Sequence, residues 1–143
     1  MKSYKYLLLL SLIFTLTACS SSDEVVERTP FGEEFFLGFG RTENLVDNID
    51  INFFSVIGDS RCPRGMVCIS EGEVTLLFDF IKDGKSLENF SLTLGFDQNN
   101  PDRQPQKEVQ GYLIEMIQVN PYPESAVPMG QELYEAVLKI SKL

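Results

Sequence analysis

The chain has 143 residues, 43% of them hydrophobic, and its 21 acidic and 12 basic side chains give a formal net charge of −9. Nucleic acid and anionic membrane surfaces repel such an acidic chain, so nucleic-acid binding is excluded. There is no histidine and there are three cysteines, too few ligands for an ordinary structural zinc site.

The first eighteen residues predict a secretory signal peptide. Lys2 and Lys5 precede the apolar run YLLLLSLIFTL at residues 6–16. A bilayer-spanning helix needs about 20 residues, so this run is too short. Its apolar side chains also surround the helix axis instead of forming the stripe of a core helix. We therefore expect residues 1–18 to be removed on export.

The end of this segment, Leu16-Thr17-Ala18-Cys19, resembles the lipobox of bacterial lipoproteins. The resemblance implies that Cys19 is lipidated, that the signal is cut before it, and that its new amino terminus is acylated. Two or more acyl chains make a stable anchor, so we expect Cys19 to hold the mature chain on a lipid bilayer. The alternative is an ordinary exported protein with a cysteine near its cleavage site.

A polar segment follows, and residues 19–31 predict a flexible tether. Ser20 argues against retention in the inner membrane, and Asp23 and Glu24 resemble a surface-export signal of some Gram-negative lipoproteins. A solubilising linker is the alternative. We expect a location in the cell envelope, at the periplasmic face of the outer membrane or at the cell surface. Residues 32–143 suffice for one domain with a hydrophobic core.

Apolar residues at every second position predict an all-β domain. Ile49, Ile51, Phe53 and Ile57 alternate with polar residues, as in a strand with one buried face. Further strands are expected at residues 34–40, 73–81, 87–96, 112–120 and 132–141. About six or seven strands separated by turn signals predict a single antiparallel β-sandwich or a partly open barrel.

Three of these segments carry additional signals. Asp83-Gly84 predicts a hairpin turn that pairs residues 73–81 with residues 87–96. Residues 112–120 and 132–141 have apolar residues on both faces, which predicts central strands. Within residues 112–120, one face is expected to carry Leu113, Ile117 and Val119, and the other face Ile114 and Met116. A helix is the alternative for residues 132–143, but alternation from Tyr134 to Ile140 favours a strand.

Cys62 and Cys68 are expected to form a structural disulfide. Export brings them to an oxidising compartment, and with Cys19 acylated they are the two thiols that remain. Their spacing does not fit the Cys-x-x-Cys of thioredoxin-like redox sites. Pro63 and Gly65 favour a turn within the ring, and such a crosslink stabilises by roughly 2 kcal/mol.

This stretch also resembles a motif in a family of small exported bacterial proteins. The matching residues are Asp59-Ser60-Arg61-Cys62-Pro63, then Cys68, then Glu71-Gly72-Glu73 before a strand. The family often has an aromatic residue near the position of Ser70, where this chain departs from it. The likeness extends loosely over residues 35–140 and implies a small β domain, without implying a function.

Three polar groups are candidate binding sites. Asp59, Arg61 and Arg64 could form a binding loop, or the first two could cap backbone groups or pair with each other. Asp97, Asn99 and Asp102 provide oxygen ligands within one short loop, as in a calcium loop, although such a stretch is more often a solvated turn. Calcium is the one cofactor considered, and no other metal is expected. Residues 121–123, Pro-Tyr-Pro, could be a polyproline-like ligand or a rigid loop.

No catalytic motif is present, so an enzyme is not expected. Two hypotheses of different classes remain. The first is an envelope-anchored binding module that holds a protein, peptide or glycan through its loops or strand edges. The second is a small hydrolase with paired carboxylates, Glu71 with Glu73 or Asp79 with Asp83. A structural envelope protein without a specific ligand is a third possibility that sequence does not separate from the first.

Overall fold

The computed structural model describes residues 27–95, 100 and 103–143. These residues form eight strands: β1 Glu34–Gly38, β2 Thr42–Leu45, β3 Ile49–Asp59, β4 Glu73–Lys82, β5 Lys85–Gly95, β6 Gln106–Val109, β7 Tyr112–Asn120 and β8 Glu135–Lys142. Short 3₁₀ turns, Val46–Asn48 and Gln131–Leu133, precede β3 and β8. Within this part of the chain, no helix has the length and apolar character needed to cross a bilayer.

The strands form two four-stranded sheets in which all neighbouring strands are antiparallel. The strand order is β1-β8-β7-β6 in the first sheet and β2-β3-β4-β5 in the second. Buried apolar side chains of both sheets form one core cluster. The prediction of an all-β antiparallel sandwich is confirmed. The two strands with apolar residues on both faces, β7 and β8, are the inner strands of the first sheet.

A row of phenylalanine rings passes through the core. Successive ring centroids are 5.6 Å apart between Phe39 and Phe53, 5.3 Å between Phe53 and Phe78, and 5.5 Å between Phe78 and Phe90. These separations are typical of favourable aromatic pairs. Phe78 lies opposite Phe53 on β3 and opposite Phe90 on β5. The alternation of the sequence therefore aligns the rings across three neighbouring strands.

The predicted hairpin between β4 and β5 is confirmed. Lys82 pairs with Lys85 across the turn, and Glu73 pairs with Gly95 at the far end. Asp83 and Gly84 both have positive φ, 50° and 74°. This is the backbone conformation that a two-residue hairpin turn requires and that glycine adopts without strain.

Two bulges in β3 overturn one prediction about its buried face. The pairing of β3 with β4 shifts between Phe53 and Ser55 and again between Val56 and Gly58. Each bulge adds a residue to one strand and so resets the alternation. As a result Ile57, predicted to be buried with the apolar residues before it, is 61% exposed.

A bulge in β7 has a similar consequence. Its pairing with β8 shifts between Met116 and Gln118. Val119 was expected on the face opposite Ile114 and Met116, but it is buried with them in the core. Ile117 lies at the bulge and is 42% exposed. Alternation of residue types alone does not reveal where such an extra residue is inserted.

The strands β2 and β6 were not predicted, and the start of β8 was placed too early. β2 and β6 have four residues each, and in each only the last is buried. So short a segment with a single core residue has no recognisable period. At residues 131–133 the chain forms a 3₁₀ turn, so β8 begins at Glu135 rather than residue 132.

The two ends of the sandwich differ in their connections. At one end, Thr29 bridges Leu45 and the ring of Phe31 lies 5.4 Å from that of Tyr112. Contacts with the domain therefore begin within residues 19–31, the predicted tether. Leu143 also lies here, where its amide donates to Gly111, and we call this end the entry pole. The opposite end, the loop pole, comprises residues 59–73 and 120–134.

Replacement of Phe78 tests the aromatic row. Phe78 is completely buried, and truncation of such a side chain leaves a cavity. We expect Phe78→Ala to lower the free energy of unfolding by about 3–5 kcal/mol. The matched control is Phe36→Ala, because Phe36 is 63% exposed and its loss should cost less than about 1 kcal/mol. Urea denaturation measures both, and equal losses would contradict this description of the core.

Candidate functional site

A buried ion pair lies where β3 ends. Arg61 Nη2 donates to Asp59 Oδ2 at 2.7 Å, and Arg61 Nε donates to Asp59 Oδ1 at 2.9 Å. The two side chains are only 7% and 8% exposed. Of the two interpretations of these residues, the structure has the one in which they pair with each other. A bidentate contact between a guanidinium and a carboxylate fixes the orientation of both groups.

The same guanidinium joins the two sheets. Arg61 Nη1 donates to the carbonyl of Val119 at 2.7 Å, and Nη2 donates to the carbonyl of Pro121 at 3.0 Å. The centre of the guanidinium lies 5.2 Å from the centroid of the Tyr122 ring. Arg61 therefore links the end of β3 in one sheet to the end of β7 in the other.

Tyr134 adds a second link across the core. Its hydroxyl donates to Asp59 Oδ2 at 3.0 Å, and its ring is buried in the core cluster. In the sequence, Tyr134 is only part of the alternating pattern that favours a strand. That pattern gave no signal that its hydroxyl meets the carboxylate, because the two residues are 75 positions apart in the chain.

This network moves two pKa values in opposite directions. Burial alone raises the pKa of Asp59. The opposing effects are larger, so the pKa is lowered: Arg61 contributes side-chain and backbone hydrogen bonds and its charge, and the hydroxyl of Tyr134 contributes a further hydrogen bond. Burial, followed by the charge and hydrogen bond of Asp59, raises the pKa of Tyr134 from 10.0 to about 12. At neutral pH the carboxylate is ionised and the phenol is protonated, so the network is a structural tie.

Beyond this tie the chain forms a crosslinked loop. Cys62 and Cys68 are joined by a disulfide, as predicted, with their Cα atoms 6.0 Å apart. The amide of Cys62 donates to Glu71 O at 2.8 Å. At Gly72, with φ of 71°, a Cβ would lie 1.9 Å from the carbonyl oxygen of Ser60, so no other residue fits there without a backbone shift. The base of the loop is thus closely fitted.

The loop also rests on the segment after β7. The amide of Arg64 donates to Pro123 O at 3.0 Å, and the Arg64 guanidinium lies 5.6 Å from the centroid of the Tyr122 ring. Arg64 forms an exposed ion pair with Glu124 at 3.4 Å. Because Tyr122 supports two arginines, the structure favours the rigid-loop interpretation of Pro-Tyr-Pro.

The outer part of the loop is apolar. Met66 is 53% exposed, and Val67 and Ile69 are fully exposed; we call these three residues the apolar tip. An open surface cavity of about 440 Å³ includes the tip in its lining, which consists of Cys62, Met66, Val67, Cys68, Ile69, Ser70 and Glu71. The sequence prediction named the charged residues of this loop and missed the tip. The available signal was two β-branched residues on either side of Cys68 in a segment without alternation.

The remaining candidates do not converge on a single site. Glu73 pairs with Arg103, Asp79 accepts from Ser86 at 2.7 Å, and Asp83 accepts from Asn48 at 3.2 Å. Glu71 is exposed at the rim of the apolar cavity. The acids of the hydrolase hypothesis therefore have separate partners or face solvent.

Two predicted sites fall outside the described residues. These are the lipidation site Cys19 and the calcium loop with Asp97, Asn99 and Asp102. Among residues 27–95, 100 and 103–143, no three acidic or cysteine side chains are grouped as metal ligands would be.

The two arginines of the loop offer a matched test of the tie. Removal of one partner from a buried ion pair leaves the other charge uncompensated, so Arg61→Ala should lower the free energy of unfolding by about 3–5 kcal/mol. Arg64→Ala removes an exposed ion pair and should cost less than about 1 kcal/mol. Chemical denaturation separates the two. Similar values for both would show that Arg61 does not hold the sheets together.

The pH dependence of stability tests Tyr134. Its pKa is 10.0 ordinarily and about 12 in the fold, so above pH 10 the folded state retains a proton that the unfolded chain has lost. The free energy of unfolding should therefore fall as the pH rises from about 10 to 12. In Tyr134→Phe this fall should be smaller, as measured by denaturation at several pH values. Ultraviolet titration of the phenols checks the assignment, since the late-titrating tyrosine should disappear in the variant. An unchanged titration would contradict it.

Comparison with known proteins leaves the function to be argued from the residues themselves. No family model matches the chain, and neither curated proteins nor solved structures gave a significant match. The features that carry functional information are therefore the buried tie and the apolar tip that it supports.

Proposed function

We propose that this chain is a lipoprotein of the bacterial cell envelope whose β domain is a binding module, with the loop pole as its contact surface. The sequence Leu16-Thr17-Ala18-Cys19 supports the anchor. The observation that carries the binding role is the exposed apolar tip on a loop whose base is held by the Arg61 network. A rigid scaffold that presents a loop is a common arrangement of binding proteins.

The positions of the two poles support an anchor at one end of the domain and a contact surface at the other. Residues 27–29 join the sandwich at the entry pole, where Arg28 donates to Leu45 O at 2.9 Å. An anchor at Cys19 would therefore attach the domain by the end opposite the tip. Such an arrangement leaves the tip accessible to an envelope protein, peptide or glycan.

Binding is favoured over hydrolysis because the candidate acids of the hydrolase hypothesis have separate partners or face solvent. In the described part of the chain, the two carboxyls with shifted pKa values are Asp47 and Asp59, and both pKa values are shifted downward. The pKa of Asp47 is lowered by a hydrogen bond from Lys142 and by the positive charge of Lys142. For Asp59, the contacts of Arg61 outweigh the effect of burial. A general acid in a glycosidase needs a raised pKa instead.

The anchor can be tested with two cysteine variants in the native host. Mass spectrometry of the wild-type protein should find a chain that begins at Cys19 and carries acyl groups. Cys19→Ser should lose processing and lipidation. Cys68→Ser, which keeps the lipobox, should be processed and remain in the membrane fraction like the wild type. An unmodified Cys19 in the wild-type protein would refute the anchor.

A further inference from the structure

We propose that the apolar tip docks into an apolar pocket of a second protein, and that the rim of this pocket is basic. This proposal rests on the proposed binding function, because it takes the loop pole as the contact surface. Met66, Val67 and Ile69 are exposed on one loop, and all three line the same open cavity. Apolar side chains grouped in this way are typical of the centres of protein interfaces, where a few residues supply most of the binding energy.

The tip is held in place before any partner arrives. The disulfide closes the loop, the amide of Cys62 is bonded to Glu71, and the amide of Arg64 is bonded to Pro123. Binding therefore requires little further ordering of the backbone. A pre-organised surface of this kind loses less conformational entropy on association than a flexible loop does.

The shape of the tip favours a protein over a bilayer. The open cavity of about 440 Å³ is lined by the disulfide and by all three side chains of the tip. A partner side chain can pack into this cavity while the exposed parts of Val67 and Ile69 contact the partner's pocket. Lipid tails lack a fixed shape that matches both features, whereas protein interfaces are packed as closely as protein interiors.

The charge of this chain indicates that the rim of the partner's pocket is basic. Arg64 and Glu124 form an ion pair that neutralises both, while Glu71 is exposed at the edge of the cavity. The chain as a whole carries a formal charge of −9. A second copy and an anionic bilayer are both repelled by this charge, whereas a basic rim is attracted to it.

The length of chain before the domain also argues against the anchoring bilayer. From Cys19 to Glu27 the chain reaches at most about 26–29 Å. From Val74 at the loop pole to Lys82 at the entry pole, β4 alone spans roughly 26 Å. The tip would reach the bilayer that holds Cys19 only with this segment fully stretched. A protein that faces the loop pole is not restricted in this way.

Photocrosslinking of the full-length lipoprotein in its own host provides the test. A photoreactive residue is placed at Val67, at Phe36 on the outer face of β1, and at Leu143 at the entry pole, all of which are exposed. We expect one discrete protein adduct from position 67 that is absent from the other two positions. Mass spectrometry then identifies the captured protein, which is purified for binding measurements.

Binding of the purified pair completes the test. Val67→Asp should raise Kd about tenfold or more, whereas Leu143→Asp, with the same change of charge at the entry pole, should leave it within about twofold. Kd should also rise with salt, because basic and acidic groups face each other. Circular dichroism and thiol titration verify that both variants are folded with the disulfide intact.

The outcomes separate the tip from the binding role. A lipid adduct, an adduct with a second copy, or an unaffected Kd in Val67→Asp would overturn the docking proposal. So would the absence of an adduct at position 67. A specific protein captured only from position 36 or 143 would overturn the tip while leaving a binding module. The absence of a specific protein at all three positions would overturn both.

Discussion

The guanidinium of Arg61 is the contact on which the loop pole depends. It binds both oxygens of Asp59 and the carbonyls of Val119 and Pro121. Strand ladders hold each sheet together, but they do not join one sheet to the other. At this end the charged tie joins them. Because it is buried, its directional bonds also determine where the loop begins, which apolar packing alone would leave less defined.

The two poles of the domain differ in how the strands are connected. At the entry pole, short turns such as Asp83-Gly84 close the strands, and the chain joins the sandwich beside Leu45. At the loop pole, longer connections leave the sheets and rest on each other through Arg64 and Pro123. Between the poles, the aromatic row packs Phe53, Phe78 and Phe90 of three neighbouring strands against one another.

The sequence was sufficient for those parts of the fold that depend on local pattern. Alternation predicted six of the strands, and Asp83-Gly84 predicted the hairpin between β4 and β5. It failed where an extra residue interrupts the alternation, as at Ile57 and Val119. It also missed β2 and β6, which have one buried residue each. A bulge depends on how a strand pairs with its neighbour, and the pattern of residues within one strand does not show that pairing.

The candidate site was predictable only in part, for a related reason. Proximity in the chain suggested the pair of Asp59 with Arg61, and cysteine count suggested the disulfide. The bonds of Arg61 to Val119 and Pro121 join residues 58 and 60 positions apart, beyond any local signal. The loop pole also reverses the usual distribution of side chains, since Arg61 is buried while Val67 and Ile69 are exposed. Exposed apolar side chains grouped on one loop are the feature on which the proposed binding role rests, and the buried charge holds the base of that loop.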